Sequence, residues 1–94
     1  MILGEVLGRV WSERQVAGLD GRRLVLVRET ASGGQRVAVD LLDAAAGMTV
    51  LVATDEAAAA VAGAPWIDAA VVALVSGYDG APAAGASPPA EAVR

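Results

Sequence analysis

The stretch Val37-Ala38-Val39-Asp40-Leu41-Leu42-Asp43-Ala44-Ala45-Ala46-Gly47-Met48-Thr49-Val50-Leu51-Val52 decides how the rest of the chain is read. Its two ends are runs of Val, Leu and Ala of the alternating or continuous kind that half-buried and buried strands show. Its middle, Asp43 to Gly47, has almost no side-chain bulk, so another backbone or a symmetry axis can approach it closely. Carboxylates stand at the approach, Asp40 and Asp43. We read strand, loop, strand, with the loop expected at a subunit interface and not at a catalytic site.

On the N-terminal side, Arg36 to Leu42 follows the Gly-rich turn Ala31-Ser32-Gly33-Gly34-Gln35. Arg23 to Thr30, centred on Leu24-Val25-Leu26-Val27, precedes that turn, so the two runs form a hairpin. Ser12 to Arg22 is a polar connection, and its Asp20-Gly21 pair supplies the positive φ of a tight turn. Ile2 to Trp11 is the first strand. Ile2, Gly4, Val6, Gly8 and Val10 share one face, and the two glycines there predict a bend or a close backbone approach. Glu5 and Arg9 put the other face near solvent or an interface rim.

On the C-terminal side, Met48 to Ala53 is the fourth strand. Thr54 or Asp55 then caps a helix of about two turns, whose positive end Asp55 and Glu56 complement and which Gly63 and Pro65 stop. Ile67 or Asp68 to Gly77 is the fifth strand. Its run Ala69 to Val75 predicts burial on both faces, one towards the core and one towards a neighbour. Residues 1–79 make one domain, and Gly80 to Arg94, rich in Gly, Ala and Pro, is expected to be a flexible tail. Five short strands with one short helix predict a mainly β protein, a small OB-like barrel first and a β-sandwich second.

A chain of 94 residues makes one domain that removes roughly 60–70% of its unfolded surface from water. Of its apolar residues 22 are Ala, and there is no Phe, so bulky core filler is scarce. A small chain with surplus apolar surface buries the remainder against copies of itself. The net charge of −4, with seven Arg and no Lys, argues against a nucleic-acid partner, which needs clustered positive charge. No uncharged run reaches the roughly 18 residues of a membrane span, and Met1 to Glu5 lacks the basic start of a signal peptide. Without Cys there is no disulfide or thiolate site. A soluble intracellular protein is expected.

The chain has no His, Cys or Lys, which removes the usual general base, thiol nucleophile and Schiff-base amine together. No cofactor and no metal are expected. Asp40 and Asp43 could pair as acids or hold a hard cation, but the favoured reading has Asp40 accepting loop N–H groups and Asp43 at a turn. Ser32-Gly33-Gly34 lacks the Lys and following helix of a phosphate loop and reads as a hairpin turn. Trp11 and Trp66 read as core or interface residues before stacking platforms for single strands. Arg22 and Arg23 read as solvent-facing flanks of a turn, with an inter-subunit salt bridge as the alternative.

In order, the chain resembles the EutN/CcmL family of bacterial microcompartment and carboxysome vertex proteins. Met1-Ile2-Leu3-Gly4-Glu5-Val6-Leu7-Gly8-Arg9-Val10-Trp11 is similar to that family's start, and Leu19 to Val27 resembles its L-x-G-x-x-L-L-L-V segment. Val39-Asp40, the small-residue loop and Val50-Leu51-Val52 resemble its D-x-V-G-A-G-x-G-x-x-V-L signature. Asp68 to Val75 resembles its closing D-A-A-I-V-x-I-V-D strand. Asp43 and Ala45 stand where the family tends to have Gly, and Met48 where an acid is usual.

The resemblance implies an OB-like barrel assembled as a cyclic homopentamer at the fivefold vertices of a cytoplasmic protein shell. Its implied partners are hexameric and pseudohexameric shell proteins, and no nucleic acid or membrane. It implies no catalysis. The candidate pore or interface loop is Asp43, Ala44, Ala45, Ala46 and Gly47, with Asp40 as its structural carboxylate. An OB-type module binding single-stranded nucleic acid or a protein ligand is the alternative.

Overall fold

Alternating apolar residues in the first three runs produce antiparallel strands that wind round one interior. β1 (Ile2–Val10) pairs with β2 (Leu24–Glu29), and β2 with β3 (Gln35–Asp40). β4 (Thr49–Thr54) lies antiparallel to the first half of β1, with Gly4 opposite Val50. β5 (Ala69–Leu74) fits between β4, antiparallel to it, and β3, parallel to it. The strands therefore close in the order β1-β2-β3-β5-β4. This computed structural model describes residues 1–79, and the tail expected from Gly80 to Arg94 lies outside the described residues. A closed five-stranded barrel with one short helix, α1 (Asp55–Ala62), is the OB-like arrangement and not a sandwich.

Closure depends on β1 serving two neighbours. Its register on β2 slips between Val6 and Gly8, leaving Leu7 as the extra residue of a bulge. A bulge bends and twists its strand, so the first half of β1 can reach β4 while the second stays on β2. The two glycines of β1 divide the roles expected of them. At Gly4 a Cβ would lie 2.5 Å from Val27 Cγ1 and 2.8 Å from the Arg28 carbonyl oxygen, so this is the close approach. Gly8 sits at the bulge, where a Cβ would meet nothing within 4 Å.

The interior is filled by Val6, Val25, Val27, Val50, Val52 and Val71 with Ala38, Ala44 and Ala69. A second cluster joins Val39, Ala53 and Ala70, on the opposite face of β3, β4 and β5, to Ala58, Ala64 and Ile67 of α1 and the segment after it. That cluster accounts for the apolar run of β5. Ala69, Ala70 and Val71 are buried on both sides, but the second side is covered by the chain's own helix and not by a neighbour. Beyond Val71 the strand opens, and Leu74 is exposed.

The turns follow their residues. Asp20 (φ −63°, ψ 134°) and Gly21 (φ +78°) give the dihedrals of a type II turn, closed by Arg22 N–H donating to the Leu19 carbonyl at 3.0 Å. Gly63 ends α1 in the left-handed conformation, its N–H donating to the Ala59 carbonyl at 2.9 Å. Thr54 stands at the N-cap but its side chain accepts no helix N–H, so only the charges of Asp55 and Glu56 serve that end.

Gly4→Ala tests the close approach. Forcing a methyl against Val27 and the Arg28 carbonyl should cost about 1–3 kcal/mol, read as a lower urea midpoint. An unchanged midpoint would contradict the contact.

Candidate functional site

β3 ends at Asp40, two residues before the end its apolar pattern predicts, because the Asp40 side chain takes over the amides that follow. Its Oδ1 accepts the N–H of Leu42 at 3.0 Å, and its Oδ2 accepts the N–H of Ala44 at 2.8 Å. These contacts wind residues 40–44 round one carboxylate, as Asx-type bonding does at turns. The Asp40 side chain has no exposed surface. A buried carboxylate is costly unless paired and hydrogen-bonded, and Arg23, just before β2, supplies the pair.

Arg23 Nε donates to Asp40 Oδ2 at 2.9 Å. Its Nη2 donates to the Ala44 carbonyl at 3.1 Å, and its Nη1 lies 3.4 Å from Asp43 Oδ1. The backbone joins the same knot, with Asp40 N–H donating to the Arg23 carbonyl at 2.7 Å. Asp40 and Asp43 thus meet through a guanidinium, and Arg23 pairs within its own chain instead of facing solvent. Arg22 is also engaged: it donates to the carbonyls of Gly18 and Ala62 at 3.0 and 3.3 Å, and lies 5.7 Å from the Trp66 ring centre.

The second half of the loop is a turn. Met48 N–H donates to the Ala45 carbonyl at 3.1 Å, with Gly47 at φ +90° in the third position, the sign a type II turn requires. Gly47 N–H and the Met48 carbonyl pair with the carbonyl and N–H of Val6 at 2.8 and 2.9 Å, tying the turn to β1. Asp43 also holds a positive φ, +59°, which Asp tolerates better than most residues.

Of the five loop residues singled out from sequence, Ala44 faces inward and packs in the barrel's valine cluster. Asp43, Ala45, Ala46 and Gly47 are exposed. Leu41 and Leu42 beside them are each 42% exposed, and Met48 is 41% exposed. Neither Trp belongs to the core: Trp11 is 75% exposed with the Arg9 guanidinium 4.0 Å from its ring centre, and Trp66 is 52% exposed. Trp66 borders a shallow groove with Leu19, Leu24, Val37, Val39 and Ile67. Among the described residues no three His, Cys, Asp or Glu converge as metal ligands.

The family described as "Ethanolamine utilisation protein EutN/carboxysome" matches residues 1–76, a span that holds every strand and the helix. The fold is similar to that of the GrpN pentameric microcompartment shell protein from Rhodospirillum rubrum, with a TM-score of 0.77 at 31% identity, covering 86% of this chain and 100% of that one. A carboxysome subunit, CcmL, is similar with a TM-score of 0.73 at 34% identity, covering 81% of this chain and 86% of its own. CcmL from Nostoc sp. PCC 7120 is similar with a TM-score of 0.74 at 29% identity, covering 84% and 93%. No curated protein matches the chain.

Asp40→Ala should strand the Arg23 charge and two loop amides. Breaking a buried, hydrogen-bonded pair costs about 3–5 kcal/mol, and partial exposure of Arg23 places this case at the lower end. Chemical denaturation measures it; a loss below about 1 kcal/mol would mean that the loop is held by other contacts.

Proposed function

The chain belongs to the EutN/CcmL family, and from that membership we propose that it is a structural shell protein whose five copies form a ring. The ring occupies a fivefold vertex of a bacterial microcompartment shell in the cytoplasm, bordered by hexameric and pseudohexameric tiles. The observation that carries this reading is the match to GrpN, a pentameric microcompartment shell protein that the chain covers along its whole length. Residues 1–79 form the assembling domain, and we assign the chain no catalysis. A layer of hexagons stays flat, so a closed shell needs fivefold units, and the packing of subunits in the ring sets the curvature.

The surface of the barrel supports association. None of the nine leucines is buried, whereas the six largest fully buried side chains are all valines. Along β2 the two alternate, with Val25 and Val27 buried and Leu24 and Leu26 half-buried, while Leu41, Leu42 and Leu74 are exposed. Such apolar surface on a small monomer marks a place where something else packs. The loop of Asp43, Ala45, Ala46 and Gly47 is its low-bulk part, suited to an interface or to the centre of a ring. The alternative, an OB-type module for single strands or a protein ligand, has less support. Arg9 and Arg22 already lie against the rings of Trp11 and Trp66, and the net charge is −4. Among the described residues no helix is long and apolar enough to cross a membrane.

Native mass spectrometry of the intact chain tests the proposal, with a five-chain species expected. A chain that stays monomeric at micromolar concentration would overturn it. Gly47→Val places a β-branched residue at φ +90° and should weaken assembly about tenfold or more, since the turn must rearrange. An unchanged native mass and dilution profile in that variant would remove the loop from the interface.

A further inference from the structure

We propose that Arg23 is a positioning residue for assembly: it holds residues 41–44 in the path that turns Leu41 and Leu42 outward together, towards a second copy of this chain. The inference rests on the ring reading above. In a strand, consecutive side chains point to opposite faces, so extending β3 would turn one of two adjacent leucines inward. Here both are exposed to the same degree.

The cause is the knot below them. Asp40 accepts the amides of Leu42 and Ala44, which folds the intervening backbone over the carboxylate and leaves the leucines on its outside. Arg23 closes the knot from the other side, with Nε on Asp40, Nη2 on the Ala44 carbonyl and Nη1 towards Asp43. Three nitrogens of one planar group thus face three acceptors of one loop, a fork that a lysine ammonium cannot reproduce. Two exposed leucines beside an exposed Met48 are apolar surface the free subunit leaves uncovered. A second copy is the occupant, because the pentameric relative GrpN is matched over its full length and a ring of identical chains covers such surface with itself.

The experiment compares the full-length wild type with Arg23→Met, Arg23→Lys and the double variant Leu41→Ser/Leu42→Ser. Sedimentation over a dilution series gives the concentration at which half the rings dissociate, and amide hydrogen exchange reports on each segment. Arg23→Met should raise that concentration at least tenfold and speed exchange at the amides of residues 42 and 44 well beyond the smaller, uniform increase that loss of the buried pair gives β1 and β4. Arg23→Lys should recover part of the loss. The double Ser variant should dissociate as readily as Arg23→Met with its β1 and β4 amides equally protected.

A ring that forms at the wild-type concentration in Arg23→Met, despite faster loop exchange, overturns the proposal. So does exchange in β1 and β4 speeded as much as at residues 42 and 44, which would make Arg23 a general stabiliser only. A double Ser variant that assembles like wild type also overturns it, and would turn the leucines towards another shell component. A wild type that is monomeric at every concentration overturns the ring reading itself, a result distinct from a ring indifferent to Arg23.

Discussion

A barrel of five strands encloses little space, and here nothing larger than valine is fully buried in it. Val6, Val25, Val27, Val50, Val52 and Val71 are all essentially without solvent contact, with Ala38, Ala44 and Ala69 between them. β-branched side chains have few rotamers and pack well on a pleated surface, so they order such an interior at small entropic cost. Close walls follow from small contents. The β1–β2 approach at Gly4 leaves no room even for a methyl group, and the bulge at Leu7 lets the same strand turn to meet β4. The leucines, too large for this interior, stay outside it, Leu24 against the second cluster and Leu41, Leu42 and Leu74 exposed.

The Arg23–Asp40 knot has a different character. A buried ion pair returns little net stability, because removing two charges from water offsets most of their attraction. It does penalise alternatives. Any other path for residues 41–44 would leave Asp40, the Ala44 carbonyl or the amides of Leu42 and Ala44 without a partner. Specificity of loop shape is what such a cluster supplies, while the valine interior supplies the stability.

Much of the fold was legible because strands announce themselves by a period of two. Val25 and Val27 alternate with Leu24 and Leu26, Asp20-Gly21 and Gly33 mark their turns, and Gly63 marks the helix end. The second face of β5 was not legible, since an apolar run looks the same whether a neighbour or the chain's own helix covers it. Nor was the parallel pairing of β3 with β5, which depends on where α1 returns the chain. In the loop, Asp40 drew attention by standing before a run of small residues. Arg23 read as a solvated turn flank or as half of an inter-subunit salt bridge, because nothing in the sequence points to a partner seventeen residues ahead in its own chain. Trp11 and Trp66 look like core residues by size, yet the interior has no room for either.

The loop is shaped before any partner arrives. Asp43 and Gly47 both hold positive φ, so Asp43 supplies the left-handed backbone for which the family resemblance leads one to expect Gly. Gly47 and Met48 are tied to Val6 of β1, Ala44 is seated in the core, and Arg23 grips the loop's first half. Ordering a flexible segment on binding consumes a large part of the interaction energy. A loop held at both halves and through its middle residue has little freedom left to lose. On the ring reading proposed above, apolar contacts made by such a loop carry little ordering cost.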